Sequence, residues 1–170
     1  MKLSEAVHKA LNEQLGREFG AHFLYRSISF DLYDKGYIGF STWMEQHATE
    51  EYGHAQKIID YLKQKDARVT LGRIETTDKT WDSVEEAVNA ALKHEQWLTS
   101  EIHKIHDLAS KENDKTTTIL MDWFVEEQKE EEMVVGSLVK RLGLTEYSPV
   151  GLMVIDSELR GSVAAASDET

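Results

Sequence analysis

Apolar residues recur along this chain every three to four positions, the period of a helix, in four long stretches. From about residue 4 to 34, Leu11, Leu15, Tyr25, Ile28 and Leu32 keep that spacing, and Asp34-Lys35-Gly36 ends it as a turn. From about 38 to 65, Phe40, Met44, His47, Ile58 and Leu62 share one stripe. Ser83 and Glu86 form a capping box ahead of Val84, Val88, Ala91, Leu98, Ile102, Ile105 and Ala109. After the polar break Lys111-Glu112-Asn113-Asp114, a fourth run passes through Met121, Phe124, Val135, Leu138 and Leu142, and Gly143 reads as its stop. Beyond the single proline, Val150 to Arg160 reads as a short fifth helix. Residues 162–170 read as a frayed tail behind a single domain of residues 1–161.

The connections fix how these helices pair. Two are short, which makes helices one and two antiparallel neighbours, and likewise three and four. The segment from about 66 to 81 has no helical period, and extended at ~3.3 Å per residue it covers roughly 50 Å. A helix of about 28 residues is roughly 42 Å long. The segment can therefore run the length of a bundle. The expected fold is all-α: a four-helix bundle with one long crossover between helices two and three and a short fifth C-terminal helix.

Composition narrows the chemistry. The chain has 170 residues and no cysteine, which excludes disulfides, thiolate metal sites and a redox-active CxxC pair. Acidic residues outnumber basic ones 31 to 19, and the formal charge of -12 argues against nucleic acid or an anionic membrane as partner. No apolar run is long enough to span a bilayer, and MKLSEAVHKAL lacks the apolar stretch of a signal peptide, so a soluble cytoplasmic protein is expected.

Each stripe, read without skipping positions, contains a carboxylate where a leucine belongs. In helix three, Glu95 interrupts the alternation Val84, Val88, Ala91, Leu98, Ile102, Ile105. In helix two, Glu51 lies one heptad from Met44 and Ile58, while His54 lies one heptad from His47 and Tyr61, so Glu51 and His54 project together. Helix one places Glu18 between Leu11 and Tyr25, and helix four puts Gln128 and Glu131 among Met121, Phe124 and Val135. An unpaired buried carboxylate costs several kcal/mol, so one per helix on four helices demands neutralisation. Two divalent cations match the four charges of Glu18, Glu51, Glu95 and Glu131. Oxygen ligands with few nitrogens favour Fe(II) or Mn(II). The acidic flank Glu127, Glu130 and Glu131, with Glu50 from helix two, offers a place for another cation. Tyr25 and Trp123 read either as core aromatics or as partners of the centre. His22, His47, His94, His103 and His106 read as surface or structural groups.

These residues carry a family resemblance. From Leu11-Asn12-Glu13-Gln14 through Ile155-Asp156-Ser157-Glu158-Leu159, the chain resembles a bacterial non-haem ferritin, through Glu18 with Tyr25, Glu50-Glu51-x-x-His54, Lys93-His94-Glu95-Gln96, and Trp123 followed by Glu127-Gln128-x-Glu130-Glu131. The resemblance implies a ferroxidase that binds and oxidises Fe(II) with O2 or H2O2 and stores Fe(III) as an oxyhydroxide mineral in a homo-oligomeric shell of twenty-four subunits. It implies a ferroxidase centre of Glu18, Glu51, His54, Glu95, Gln128 and Glu131, with Tyr25 beside it, and a third iron site of Glu50, Glu127, Glu130 and Glu131. Bacterioferritins, which are similar, carry Met after the helix-two Glu to bind haem, and His in the fourth-helix pair. Tyr52 and Glu130 stand there in this chain, so no haem is expected.

Overall fold

The computed structural model describes residues 2–167, with side chains through 161. It is built of α1 (Glu5–Asp34), α2 (Ile38–Gln64), α3 (Val84–Lys111), α4 (Lys115–Leu144) and α5 (Pro149–Ser167), with no strand among the described residues. Three helix starts are capped by their own sequence: Ser4, Ser83 and Asp114 accept hydrogen bonds from the backbone N–H groups of Val7, Glu86 and Thr117. The Glu86 carboxylate reaches back to the N–H of Asp82, closing a variant of the capping box. Gly36 takes a φ of 87° in the turn after α1, a conformation open to glycine.

The C-terminal ends differ in detail from the sequence reading. Gly143 does not stop α4, which runs one residue further; Glu146 and Tyr147, at φ 51° and 52°, make the left-handed turn instead. The fifth helix continues through Ser167, into the segment expected to fray, and residues 168–170 of that segment lie outside the described residues.

Helix α1 packs on α2 and on α3, α3 packs on α4, and α5 crosses α2. The connection between α2 and α3 runs along α1. Asn12 pins its start, donating to the carbonyl of Arg68 and accepting from the N–H of Thr70 at 2.7 Å. Gly16 and Gly20 let its backbone settle on the helix: a Cβ on Gly20 would lie 3.3 Å from the Glu75 carbonyl oxygen. At its far end the N–H of Trp81 donates to Asp31, and Trp81 is buried in the same core cluster as Val84 and Leu32.

Two separate apolar clusters fill the bundle. One joins Ile28, Leu32, Phe40, Met44, Val88, Val135 and Leu142 with Ile155 and Leu159 of α5. The other, at the opposite end, joins Leu11, Leu15, Ile58, Leu62, Ile102, Met121 and Phe124. Residues 18, 51, 54, 95, 128 and 131 fall in the layer between them.

The first turn of α2 has no side-chain cap of its own, since Tyr37 stands at the N-cap position. Its need is met from α5. The buried Asp156 carboxylate accepts from the N–H of Phe40 at 3.0 Å, and Gly39 lies so close that an added Cβ would sit 1.8 Å from the Asp156 carbonyl oxygen. Asp156→Ala is expected to lower stability by about 1–2 kcal/mol, as loss of a helix cap does. Gly39→Ala should cost more because α5 must move; chemical denaturation of both variants measures the difference.

Candidate metal centre

The centre is assembled from the middle of four helices, where each apolar stripe passes from one cluster to the other. Glu18 comes from α1, Glu51 and His54 from one turn of α2, Glu95 from α3, and Gln128 and Glu131 from α4. All six are between 0% and 6% exposed. Side chains rather than backbone close the layer on one side: no Cα of α2 comes within 8 Å of a Cα of α4 among the described residues.

A polar chain leads into Glu18. Its Oε1 accepts from Gln14 at 2.8 Å, the Gln14 carbonyl accepts from Arg17 at 3.2 Å, and Arg17 pairs with Glu101 of α3 at 3.0 Å. Glu95 is held from two sides, by the Tyr25 hydroxyl at 2.6 Å and by the Gln128 amide at 3.1 Å. His54 Nδ1 lies 3.3 Å from Glu51 and 4.0 Å from Glu18, and its Nε2 lies 3.6 Å from Glu127. Trp123 stands edge-on to the His54 ring at 5.6 Å, with the Lys57 ammonium over its own face.

After these bonds, Glu18 Oε2, Glu51 Oε1 and Gln128 Oε1 remain buried with no donor to satisfy them, apart from a proton that Glu18 and Glu51 can share between them. Orphaned buried acceptors are costly, and three in one layer are what a cation would satisfy. The donor set of carboxylates, one amide oxygen and an imidazole suits Fe(II) or Mn(II). Three groups of side chains bring one ligand atom each within 4.8 Å of the others: Glu18, Glu51 and His54; His47, Glu50 and Glu131; and His54, Glu127 and Glu131.

Electrostatics in the layer follow from burial. Burial pushes the Glu51 carboxyl well above the usual range, and the charges of Glu95 and Glu18 push it further. Glu95 rises to about 7, burial outweighing its bonds from Tyr25 and Gln128. Glu18 is raised by burial against the pull of His54. Burial and the Glu95 and Glu51 charges hold the Tyr25 hydroxyl firmly protonated.

Eight of the residues singled out from the sequence converge here: Glu18, Tyr25, Glu50, Glu51, His54, Glu127, Gln128 and Glu131. Glu95 joins them through Tyr25 and Gln128 rather than through a metal-spaced trio. Glu130 does not converge: it is exposed and belongs to none of the three groups. His47, read from the sequence as surface or structural, does. It is buried, with Nδ1 3.1 Å from Glu131 and 3.3 Å from Glu50, and burial, which opposes its charge, is outweighed by these carboxylates so that its pKa is raised. The signal that pointed to it was its place one heptad before His54.

Comparison with known proteins gives the family. The profile of the "Ferritin-like domain" family matches residues 8–144. The chain is 31% identical over 157 residues to a "Bacterial non-heme ferritin" of Bacteroides fragilis, covering 92% of this chain and 98% of that one. It is 32% identical over 155 residues to the protein of the same description from Escherichia coli O157:H7, covering 91% and 93%. Among solved structures, an open pore ferritin from the archaeon Archaeoglobus fulgidus superposes with a TM-score of 0.90 at 34% identity, over 93% of this chain and 96% of that one. Sequence, fold and relatives thus coincide over nearly the whole length, and the chain belongs to the ferritin family.

Proposed function

We propose that this chain is an iron-storage ferritin with ferroxidase activity, acting on Fe(II) as its substrate. The observation that carries the reading is the buried layer of four carboxylates and one imidazole with three orphaned acceptor oxygens, in a chain of this family. Glu18, Glu51 and His54 hold one Fe(II). Glu95 and Glu131, with Gln128 alongside, hold the second, and Glu51 lies between the two. The four carboxylates balance the four charges of the metal pair. Each Fe(II) gives up one electron; O2 takes two electrons and two protons and leaves as H2O2, or H2O2 itself serves as oxidant. Tyr25 fixes Glu95 through its hydroxyl and is placed to lend an electron.

The working unit is the single domain of residues 1–161, assembled into a cytoplasmic shell of twenty-four copies. Fe(III) passes to an oxyhydroxide mineral inside it. At -12 per chain, such a shell carries roughly -290, enough to concentrate Fe(II) around and within it. A third iron site beside the pair draws on Glu50, Glu127 and Glu131, with Glu130 on its rim. Haem, nucleic acid and membrane have no part in this reading; no described helix is long and apolar enough to cross a membrane.

Aerobic addition of Fe(II) is expected to give fast growth of Fe(III)-oxo absorbance. Glu95→Ala and His54→Ala should each slow it by at least about tenfold, since even groups that only support a ligand are worth 10–100-fold. Gel filtration of the same sample should place the protein far above a dimer, with many irons retained per chain. Unchanged oxidation rates in both variants would sink the ferroxidase reading, and elution as a monomer or dimer would sink storage.

Proton linkage gives a second test. Glu95 has a folded value near 7 against an ordinary 4.5, so its stabilising contribution to the metal-free fold is complete below pH 4.5 and is lost as pH rises through 7. In chelator, Glu95→Gln should therefore gain stability relative to wild type as pH rises from 4.5 to 8, by on the order of 3 kcal/mol. Thermal melts across that range measure it. Metal uptake near neutral pH should release protons, read directly by a pH indicator.

A further inference from the structure

Gln14 and Arg17 stand outside the ligand set that the family resemblance implies, yet together they reach into the buried layer from the edge of the bundle. Gln14 is 0% exposed and lies one turn before Glu18 on α1. Arg17 is nearer to water, with its side chain 23% exposed. Its guanidinium is anchored across to α3, where one nitrogen meets Glu101 at 3.0 Å, and Glu101 is itself paired with Lys104. The other nitrogen donates to Gln14 at 3.2 Å.

The chemistry of these groups gives the chain of bonds a direction. A guanidinium carries five N–H donors and no acceptor, so the end of the Gln14 amide that faces it must be the carbonyl. The NH2 end is thereby turned the other way, toward Glu18 Oε1 at 2.8 Å. An amide NH2 only donates, which casts Oε1 as its acceptor. Any further partner of the carboxylate falls to Oε2, which is buried with no donor apart from the proton that Glu18 and Glu51 can share. With the amide reversed, its carbonyl oxygen would face Oε1, and two acceptors at that distance would drive Glu18 from its place. Arg17 closes off that alternative.

Resting on the ferroxidase reading above, we infer that Gln14 and Arg17 are positioning residues for the Fe(II) held by Glu18: Arg17, pinned by Glu101, fixes the sense of the Gln14 amide, and the amide presents Glu18 to the ion through Oε2. The neutral amide between them matters. A guanidinium in direct contact with Glu18 would compete with the ion for the carboxylate and repel it. Set one residue back, Arg17 passes on orientation and leaves the charge of Glu18 for the metal.

Anaerobic titration of the assembled, metal-free protein with Co(II), followed by the visible absorption of the bound ion, separates this role from charge alone. Arg17→Met keeps the length of the side chain and removes its donors. Loss of a positive charge by itself would tighten cation binding, whereas loss of orientation weakens it. Arg17→Met is expected to raise one of the Co(II) dissociation constants about tenfold, and Gln14→Met to raise the same constant by about 10–100-fold. In the double variant, Arg17→Met should add no weakening to Gln14→Met, because no amide is left to orient. Unchanged or tighter binding in Arg17→Met would overturn the inference, as would full additivity of the two substitutions. If Gln14→Met fails to assemble, the sign of the change in Arg17→Met decides. Wild type that takes up no stoichiometric Co(II) would instead overturn the ferroxidase reading, and this inference with it.

Discussion

Four carboxylates cannot share one buried layer as anions unless something positive joins them, and this requirement organises the rest of the molecule. Desolvation raises Glu18, Glu51 and Glu95, and the charges of neighbouring carboxylates add to it at Glu51 and Glu95. Metal-free, the layer favours protons; on the function proposed above, cations would take their place. Its supporting bonds suit that exchange. Gln14 donates to one oxygen of Glu18 and leaves the other for another partner, while Tyr25 and Gln128 hold one oxygen each of Glu95. Arg17, the nearest fixed positive charge along this chain of bonds, stops short of the layer and pairs with Glu101.

The scaffold tolerates this polar layer because apolar packing is concentrated on both sides of it. Leu11, Leu15, Ile58, Leu62 and Met121 close one end, while Leu32, Phe40, Met44, Val88 and Leu142 close the other. The crossover ties to α1 at Asn12 and Asp31, near the two ends of the bundle, with its backbone lying over Gly16 and Gly20 between them. Helix α5 adds Ile155 and Leu159 to the second cluster and supplies through Asp156 the cap that α2 lacks.

Much of this was legible in the residue pattern. A carboxylate on an apolar line at heptad spacing is a conflict between burial and charge, and at Glu18, Glu51, Glu95 and Glu131 the conflict marked buried positions. The long crossover followed from a stretch without period that was long enough to span the bundle. What escaped was side-chain context. His47 looked ordinary because an imidazole on a helix face has many uses, and its setting is made by Tyr25, Trp43 and Glu131, which come from three separate stretches of chain. Glu130 looked like its acidic neighbours, but one position along a helix is a rotation of about 100°, and that turns it toward water. Gly143 looked like a stop because glycine often ends helices, whereas the turn fell on Glu146 and Tyr147.

The two-cluster core has a further consequence. In a small zinc domain the ion is the keystone: remove it and the chain unravels, so such an ion is a fixture. Here the helices are gripped above and below the polar layer by apolar packing that needs no ion. On the function proposed above, an ion would arrive, react and depart without the fold paying attention, and the layer would be a berth through which cargo passes and not a foundation on which the building stands.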